Sequence, residues 1–395
     1  MDMKTKIQLF AAFLLLAVGA LWLTSCSSED AVQGSGSQAD ASLTLTINTG
    51  KVGSRATAWD GTNSPTTTQE NTINRLTVGI FDASTKKVKT IVELTSAPTG
   101  GNSLSVSGNT ATATIVTTSL ATGDDVLVAA NAPAGNFAGV ADETGFNAKT
   151  EGIESAVLSS SDNTKEINNN IPMYGASTLN GSGSAFTATV SVQHQLAKIT
   201  LDNLSVDFAQ DGPYKSATFK PTEFFLVNVP ENLAFNAAAV NGTNHFHGCN
   251  IASSDYSSLS WSNSLPSNWG SYKEFLATGA LSGSALSGIA SSGTEKYGSK
   301  SFFYVTPSTD VTDDGKMKLI IAGDFDANGS GTTEKVFYPV AINATYDAAG
   351  NATAADGGTV FQVYPNKNYK CTVVIKTKGT TDPTKNLDPQ TATVT

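Results

Sequence analysis

The sequence predicts an all-β protein built as two tandem β-sandwich domains with long loops and little helix. Three observations carry this expectation. Charged residues make up 15% of the 395 positions, well below the quarter usual for soluble domains. Apolar residues recur with a period of two in short runs bounded by Gly, Ser and Asn clusters, the mark of half-buried strands rather than of helices. The length itself accommodates two sizeable cores. The net charge of −10, with 24 Lys plus Arg, provides no basic face for nucleic acid. Only two of those cations, Arg55 and Arg75, are arginine.

The N-terminus reads as an address. Lys4 and Lys6 precede an apolar run from Ile7 to Leu23. Seventeen helical residues at about 1.5 Å each barely cross a hydrocarbon core, so a short export signal fits better than a permanent anchor. Leu23-Thr24-Ser25-Cys26 fits a lipobox, in which Cys26 is acylated and becomes the new first residue. Residues 1–25 are then a lipoprotein signal peptide. Cys249 and Cys371 remain, either as one disulfide or as two thiols, and no disulfide framework results.

Residues Ala31–Ala41 form a Gly/Ser tether. The run from Ser42 to Asn48 then alternates with Leu43, Leu45 and Ile47 on one face, which predicts a half-buried strand. Loop chemistry returns over residues 49–69 and contains Arg55. Strands are predicted over 73–81, placing Arg75 inside one, and over 88–94, 111–116 and 126–130. A weakly helical stretch is expected over 148–158. The second run of strands covers 187–192, 196–204, 224–229, 302–305, 317–322, 336–342, 360–363 and 369–376, with a long Gly/Ser/Asn loop region over 231–301. The boundary between the domains is expected near residue 190, giving 56–190 and 191–395.

Candidate chemistry is thin. Asp324-Phe325-Asp326-Ala327-Asn328-Gly329 begins like a calcium loop, but Lys335 stands where the twelfth-position Glu is needed, and strand-like flanks favour a hairpin turn. His245, His247 and Cys249 alternate without a convincing fourth zinc ligand. His194, the remaining histidine, has no nucleophile elbow to serve. Asp124-Asp125 and Asp313-Asp314 sit in turn contexts, and Trp59, Trp261, Trp269 and Tyr272 lie in loops, where they either pin those loops or form a glycan-binding surface. The sequence therefore implies no catalytic set, no metal and no cofactor.

Several segments in order carry a resemblance: the lipobox and the Leu43–Ile47 strand, Ser54-Arg55-Ala56, the VLVAANAP run at 126–133, and Ile171-Pro172-Met173-Tyr174-Gly175. Leu196-Ala197-Lys198-Ile199, FFLVNVP at 224–230, FFYVTP at 302–307, Tyr338-Pro339-Val340 and Asn368-Tyr369 complete it. Together they resemble the fimbrillin family, the lipoprotein-derived pilins of Bacteroidales type V fimbriae. Ser27-Ser28-Glu29-Asp30 similarly resembles the acidic surface-export tag of such lipoproteins.

The resemblance implies transthyretin-like, Greek-key sandwiches and an outer-membrane lipoprotein precursor held by the lipid on Cys26. It also implies maturation by an Arg-specific protease, carried over to the Arg55–Ala56 bond because Arg55 lies in a Gly/Ser/Thr loop open to nicking. Residues 26–55 are then a propeptide that takes the Leu43–Ile47 strand with it. Losing each of those side chains from the core costs about 1.5–3 kcal/mol and leaves unpaired backbone for an incoming strand. The expected donor is the C-terminus of another fimbrial subunit, with Ala392 and Val394 on its inward face. The family's stalk subunits usually continue further, so a tip or accessory adhesin with a surface ligand is the alternative, and a glycan-binding lipoprotein a further one.

Overall fold

The structure, a computed structural model, describes residues 41–49, 70–152, 170–230, 232–236, 245–246, 277–278, 286–287, 296–297, 301–381, 383, 385–386 and 392–394. Its first strands are β1 (Ala41–Thr49), β2 (Leu76–Phe81), β3 (Val88–Leu94), β4 (Ser103–Ser107), β5 (Thr110–Thr117) and β6 (Asp125–Ala130). A five-residue helix, α1 (Glu143–Asn147), and the short β7 (Thr150–Gly152) follow, then β8 (Met173–Thr178), β9 (Asn180–Ser182) and β10 (Ala185–His194). These strands run in the order β3-β2-β6-β8-β10-β1-β5-β4, with β9 added against β10.

β10 is the hinge of this array. Its residues Ala185–Val192 pair in parallel with β1, whereas Gln193 and His194 pair with Tyr174 and Met173 of β8. The two sheets so joined face each other across a common core. Phe186, Ala188, Val190 and Val192 of β10 point into it, and the intervening residues face outward, as the period of two requires. Gly175 lies where β8 crosses β10. A Cβ there would stand 2.4 Å from the Ser191 carbonyl oxygen, so only glycine allows the approach.

β2 and β6 are buried on both faces, which accounts for their unbroken apolar runs. Leu76, Val78, Ile80, Val126, Val128 and Ala130 enter the main core. Leu127 and Ala129 face the other way, into a separate cluster with Phe81, Phe137, Phe146 and Phe235. Phe146 comes from α1, which is capped by Asp142 accepting from the Gly145 N–H at 2.9 Å.

The second set comprises β11 (Ala197–Val206), β12 (Thr218–Val227), β13 (Val229–Pro230), β14 (Asn232–Ala234), β15 (His245–Phe246), β16 (Ala277–Thr278), β17 (Leu286–Ser287) and β18 (Lys296–Tyr297). It continues with β19 (Ser301–Val305), β20 (Lys318–Asp326), β21 (Glu334–Ala341), β22 (Thr345–Tyr346), β23 (Ala352–Thr353), β24 (Asn368–Ile375) and β25 (Ala392–Val394). One sheet is ordered β18-β11-β24-β25 with β19 against β11, and the other β16-β12-β20-β21 with β17 against β12. Their facing residues form a second core that includes Ile199, Leu201, Phe219, Leu319, Phe325, Tyr338 and Val373. β14 pairs with β7 of the first set, and Asp40–Thr395 make one compact unit.

The expectation of a nearly all-β chain holds, and several element readings need correction. Arg75 precedes β2 instead of lying within it, although its carbonyl is held by the Asn131 N–H at 2.9 Å. The helix lies at 143–147, not over 148–158, where 150–152 form a strand and 153–158 fall outside the described residues. Residues 360–363 form no strand. Phe361 adopts φ +67° and only Val363 bridges, to Ser308. The Asn343 amide donates to the Thr359 and Gln362 carbonyls and so curls this apolar segment into a turn.

Candidate functional site

β1 occupies the middle of its sheet. It pairs with β10 from Ser42↔Ala185 to Thr49↔Val192 and antiparallel with β5 from Ala41↔Thr117 to Asn48↔Thr110. Leu43, Leu45 and Ile47 have no exposed surface, and Ala41 and Thr49 flank them at 4%. Ser42 and Thr44 face solvent. Five inward positions therefore fill one continuous groove between β5 and β10. Every backbone donor and acceptor along its floor depends on whichever strand lies there.

Residues 50–69, with Arg55 and Ala56 among them, lie outside the described residues, as does Cys26, and Glu70 is the next described residue after β1. It is tightly held. Glu70 is 4% exposed, and its Oε1 accepts from Lys198 Nζ at 3.0 Å and from the Tyr304 hydroxyl. His194 Nε2 donates to the Glu70 carbonyl at 3.0 Å. Asn131, in a left-handed conformation at φ 60°, donates through its amide to the Thr72 and Ile171 carbonyls and accepts from the Asn74 N–H. Ile73 is buried in the main core.

Burial dominates the electrostatics of this corner. It pushes Lys198 down to about 6, against the pull of the Glu70 carboxylate, and raises Tyr304 with the Glu70 charge acting in the same sense. It also lowers His194 to about 4; the Glu70 carbonyl opposes this shift, and the Lys198 charge reinforces it. The folded chain thus binds fewer protons at His194 than the unfolded chain between pH 6.5 and 4. Stability that is fully present above pH 6.5 is lost as the pH falls toward 4, by about 3 kcal/mol. His194→Asn, which retains an amide donor, is expected to flatten this segment of a denaturant-midpoint profile measured from pH 7 to 4.5.

At the other terminus, β25 pairs antiparallel with β24, Ala392 opposite Ile375 and Val394 opposite Val373. The two halves of the expected exchange, the Leu43–Ile47 strand and the Ala392–Val394 strand, therefore both lie within sheets of the same chain. Cys371 is buried in the second core, and Cys249 lies outside the described residues.

The remaining candidates resolve into structural roles where they are described. Asp326 ends β20 and accepts from the N–H groups of Asn328, Ser330 and Gly331, which makes 326–331 a hairpin turn into β21. Burial would raise its pKa, but these amides outweigh that and hold it below the usual carboxylate range. Asp124 pairs with Lys89 at 2.9 Å, Asp125 with Lys86, and Asp313 with Lys316 at 2.7 Å. His245 lies on β15 beside Pro230, whereas His247, Trp59, Trp261, Trp269 and Tyr272 lie outside the described residues.

A first strand that is central and paired along both edges, in sheets that close over a common apolar core, defines a β-sandwich protein. Residues 41–203 match the family model of the major fimbrial subunit protein (FimA). Three crystal structures share the fold. A fimbrilin from Porphyromonas gingivalis is 16% identical with a TM-score of 0.54, over 90% of this chain and 95% of that one. A candidate cell adhesion protein from Bacteroides eggerthii is 20% identical (TM-score 0.53), covering 91% and 96% of the two chains. Another, from Parabacteroides distasonis, is 14% identical (TM-score 0.57), covering 88% and 92%. No curated protein matches the chain.

Proposed function

We propose that the chain is a structural subunit of a cell-surface fimbria, exported as a lipoprotein through Cys26 and matured by an Arg-specific protease at the Arg55–Ala56 bond. Cleavage frees β1 from the body, and a strand from another subunit takes its place. The observation that carries this reading is the position of β1, a central strand whose downstream covalent tie runs only through residues 50–69. An edge strand could leave without consequence. A central strand with three wholly buried side chains leaves a groove that only another strand can fill. Withdrawing Leu43, Leu45 and Ile47 costs about 5–9 kcal/mol in lost burial, so the emptied subunit is driven toward polymerisation. The donor is the segment containing Ala392 and Val394, released from β24 and projected into a neighbour's groove. The role in adhesion follows from the polymer and not from any catalytic group.

The test uses the chain from residue 26 onward with Cys26→Ser, treated with an Arg-specific protease. A product beginning at Ala56 that grows into ladders on a denaturing gel run without heating is expected. Truncation before residue 387 is expected to stop the ladders. Resistance at Arg55, or a cut chain that stays monomeric with residues 41–49 bound, would overturn the reading.

A further inference from the structure

Removing β1 raises a mechanical question. β1 pairs with eight residues of β10, so its departure unpairs β10 along that edge at the moment when β10 must serve as the wall of an open groove. What fixes β10 then lies at its far end. Gln193 and His194 hold β8, and the His194 ring holds the Glu70 carbonyl. Glu70 in turn reaches across to Lys198 on β11 and Tyr304 on β19, two adjoining strands of the second set. Lys198 is 2% exposed and Tyr304 8%, so the carboxylate is locked between buried donors. Thr72, Asn74 and Arg75 are then secured on the other side, through the Asn131 side chain and backbone.

We propose that Glu70 is the positioning residue of the acceptor groove: by anchoring the chain after β1 and the end of β10 to the second strand set, it stops unzipping at residue 70 and keeps β10 in place when β1 leaves. The inference rests on the strand-exchange reading above and assigns it a boundary. Displacement then ends at residue 70, and the chain from Glu70 onward keeps its contacts. The chemistry suits a stop. A carboxylate held between two buried donors is costly to withdraw alone, because Lys198 Nζ and the Tyr304 hydroxyl would both lose their acceptor. A neutral anchor would slip more easily. The nearby Lys370 charge disfavours the protonated form of Lys198.

The experiment makes the cut independently of Arg55. In the chain from residue 26 onward, residues 61–66 are replaced by a viral protease recognition sequence, so β1 can be released whether or not Arg55 is a natural site. The cut chain is stripped of β1 in mild denaturant, returned to buffer and offered the synthetic nonapeptide ASLTLTINT, the sequence of β1. Hydrogen exchange is followed over residues 70–75 and 190–194.

In the parent chain these residues are expected to stay protected after the cut and the peptide to rebind. Glu70→Gln is expected to leave exchange along β1 unchanged before the cut, then to raise exchange at 70–75 at least tenfold and weaken peptide binding at least tenfold after it. A merely structural role would shift the unfolding midpoint without separating cut from uncut chains. Equal exchange and equal peptide affinity in the two cut chains would overturn the proposal, as would free exchange at 70–75 in the cut parent. Should Glu70→Gln not fold, Tyr304→Phe removes one donor to the same oxygen and keeps the ring, with about a threefold change expected in both readouts and none required to refute. Resistance of Arg55 to its protease would count against the maturation reading alone, because the cut here does not use it.

Discussion

Replacing Leu45 with aspartate is expected to expel β1 from its sheet without any cleavage. Leu45 sits at the midpoint of the strand, opposite Ala113 on one side and Ala188 on the other, with no exposed surface. Truncating a buried leucine costs about 2–5 kcal/mol, and a carboxyl group in the same place must be buried without a partner or remain protonated. Together these terms come to about 5 kcal/mol or more, a shift of three to four orders of magnitude in the in/out equilibrium. Thr44→Asp, one residue away on the solvent face, is expected to stay within about 0.5 kcal/mol of the parent. Hydrogen exchange along β1 distinguishes the outcomes. Leu45→Asp should exchange rapidly over residues 41–49 while the second core stays protected, and the uncut chain should then accept the β1 nonapeptide. Retained protection in Leu45→Asp would show that the groove does not depend on the alternating side chains, contrary to the burial argument.

That contrast between neighbouring residues was legible in the sequence, because alternation is a local property. Leu43, Leu45 and Ile47, the Phe186–Val192 alternation of β10 and the Tyr369–Ile375 alternation of β24 all declare which face is buried. Where both faces are covered, alternation vanishes and only an apolar run is left. β2 and β6 were still recognisable in that form, and so was the apolar run at 360–363, which is not a strand. The Asn343 amide, seventeen residues upstream of Val360, decides its shape. β4, β8 and β9 were missed because SLSVS, MYGAST and NGS carry too few large apolar residues to register. The Glu70 corner was illegible for a different reason. Its partners lie 128 and 234 residues away, and a glutamate between Gln69 and Asn71 looks like ordinary loop. The one available signal was Lys198 itself, a cation between Ala197 and Ile199, which must find a polar partner if it is covered.

The second large effect is expected at Phe235, where the two strand sets meet. Phe235 follows β14, which pairs with β7, and its N–H donates to the Lys149 carbonyl at 3.3 Å. Its ring enters the cluster on the outer face of β2 and β6, 5.4 Å from the Phe137 centroid, with Phe137 in turn 4.2 Å from Phe146. A residue of the second set thus completes a core belonging to the first. Phe235→Ala is expected to cost about 3–5 kcal/mol, and most of that loss falls on the coupling between the sets. A single cooperative unfolding transition should therefore split in two. Phe208→Ala supplies the contrast. Phe208 is equally buried, packs edge-on to Phe325 at 5.9 Å and lies wholly within the second core. It is expected to destabilise by a similar amount without dividing the transition. Denaturant unfolding followed by hydrogen exchange reads both quantities. If Phe235→Ala lowers the midpoint while every region still unfolds together, the sets are coupled chiefly through Glu70, Lys198 and Tyr304, and the aromatic cluster only fills space. A split confined to Phe235→Ala would instead mean that the aromatic contact is what couples the two strand sets.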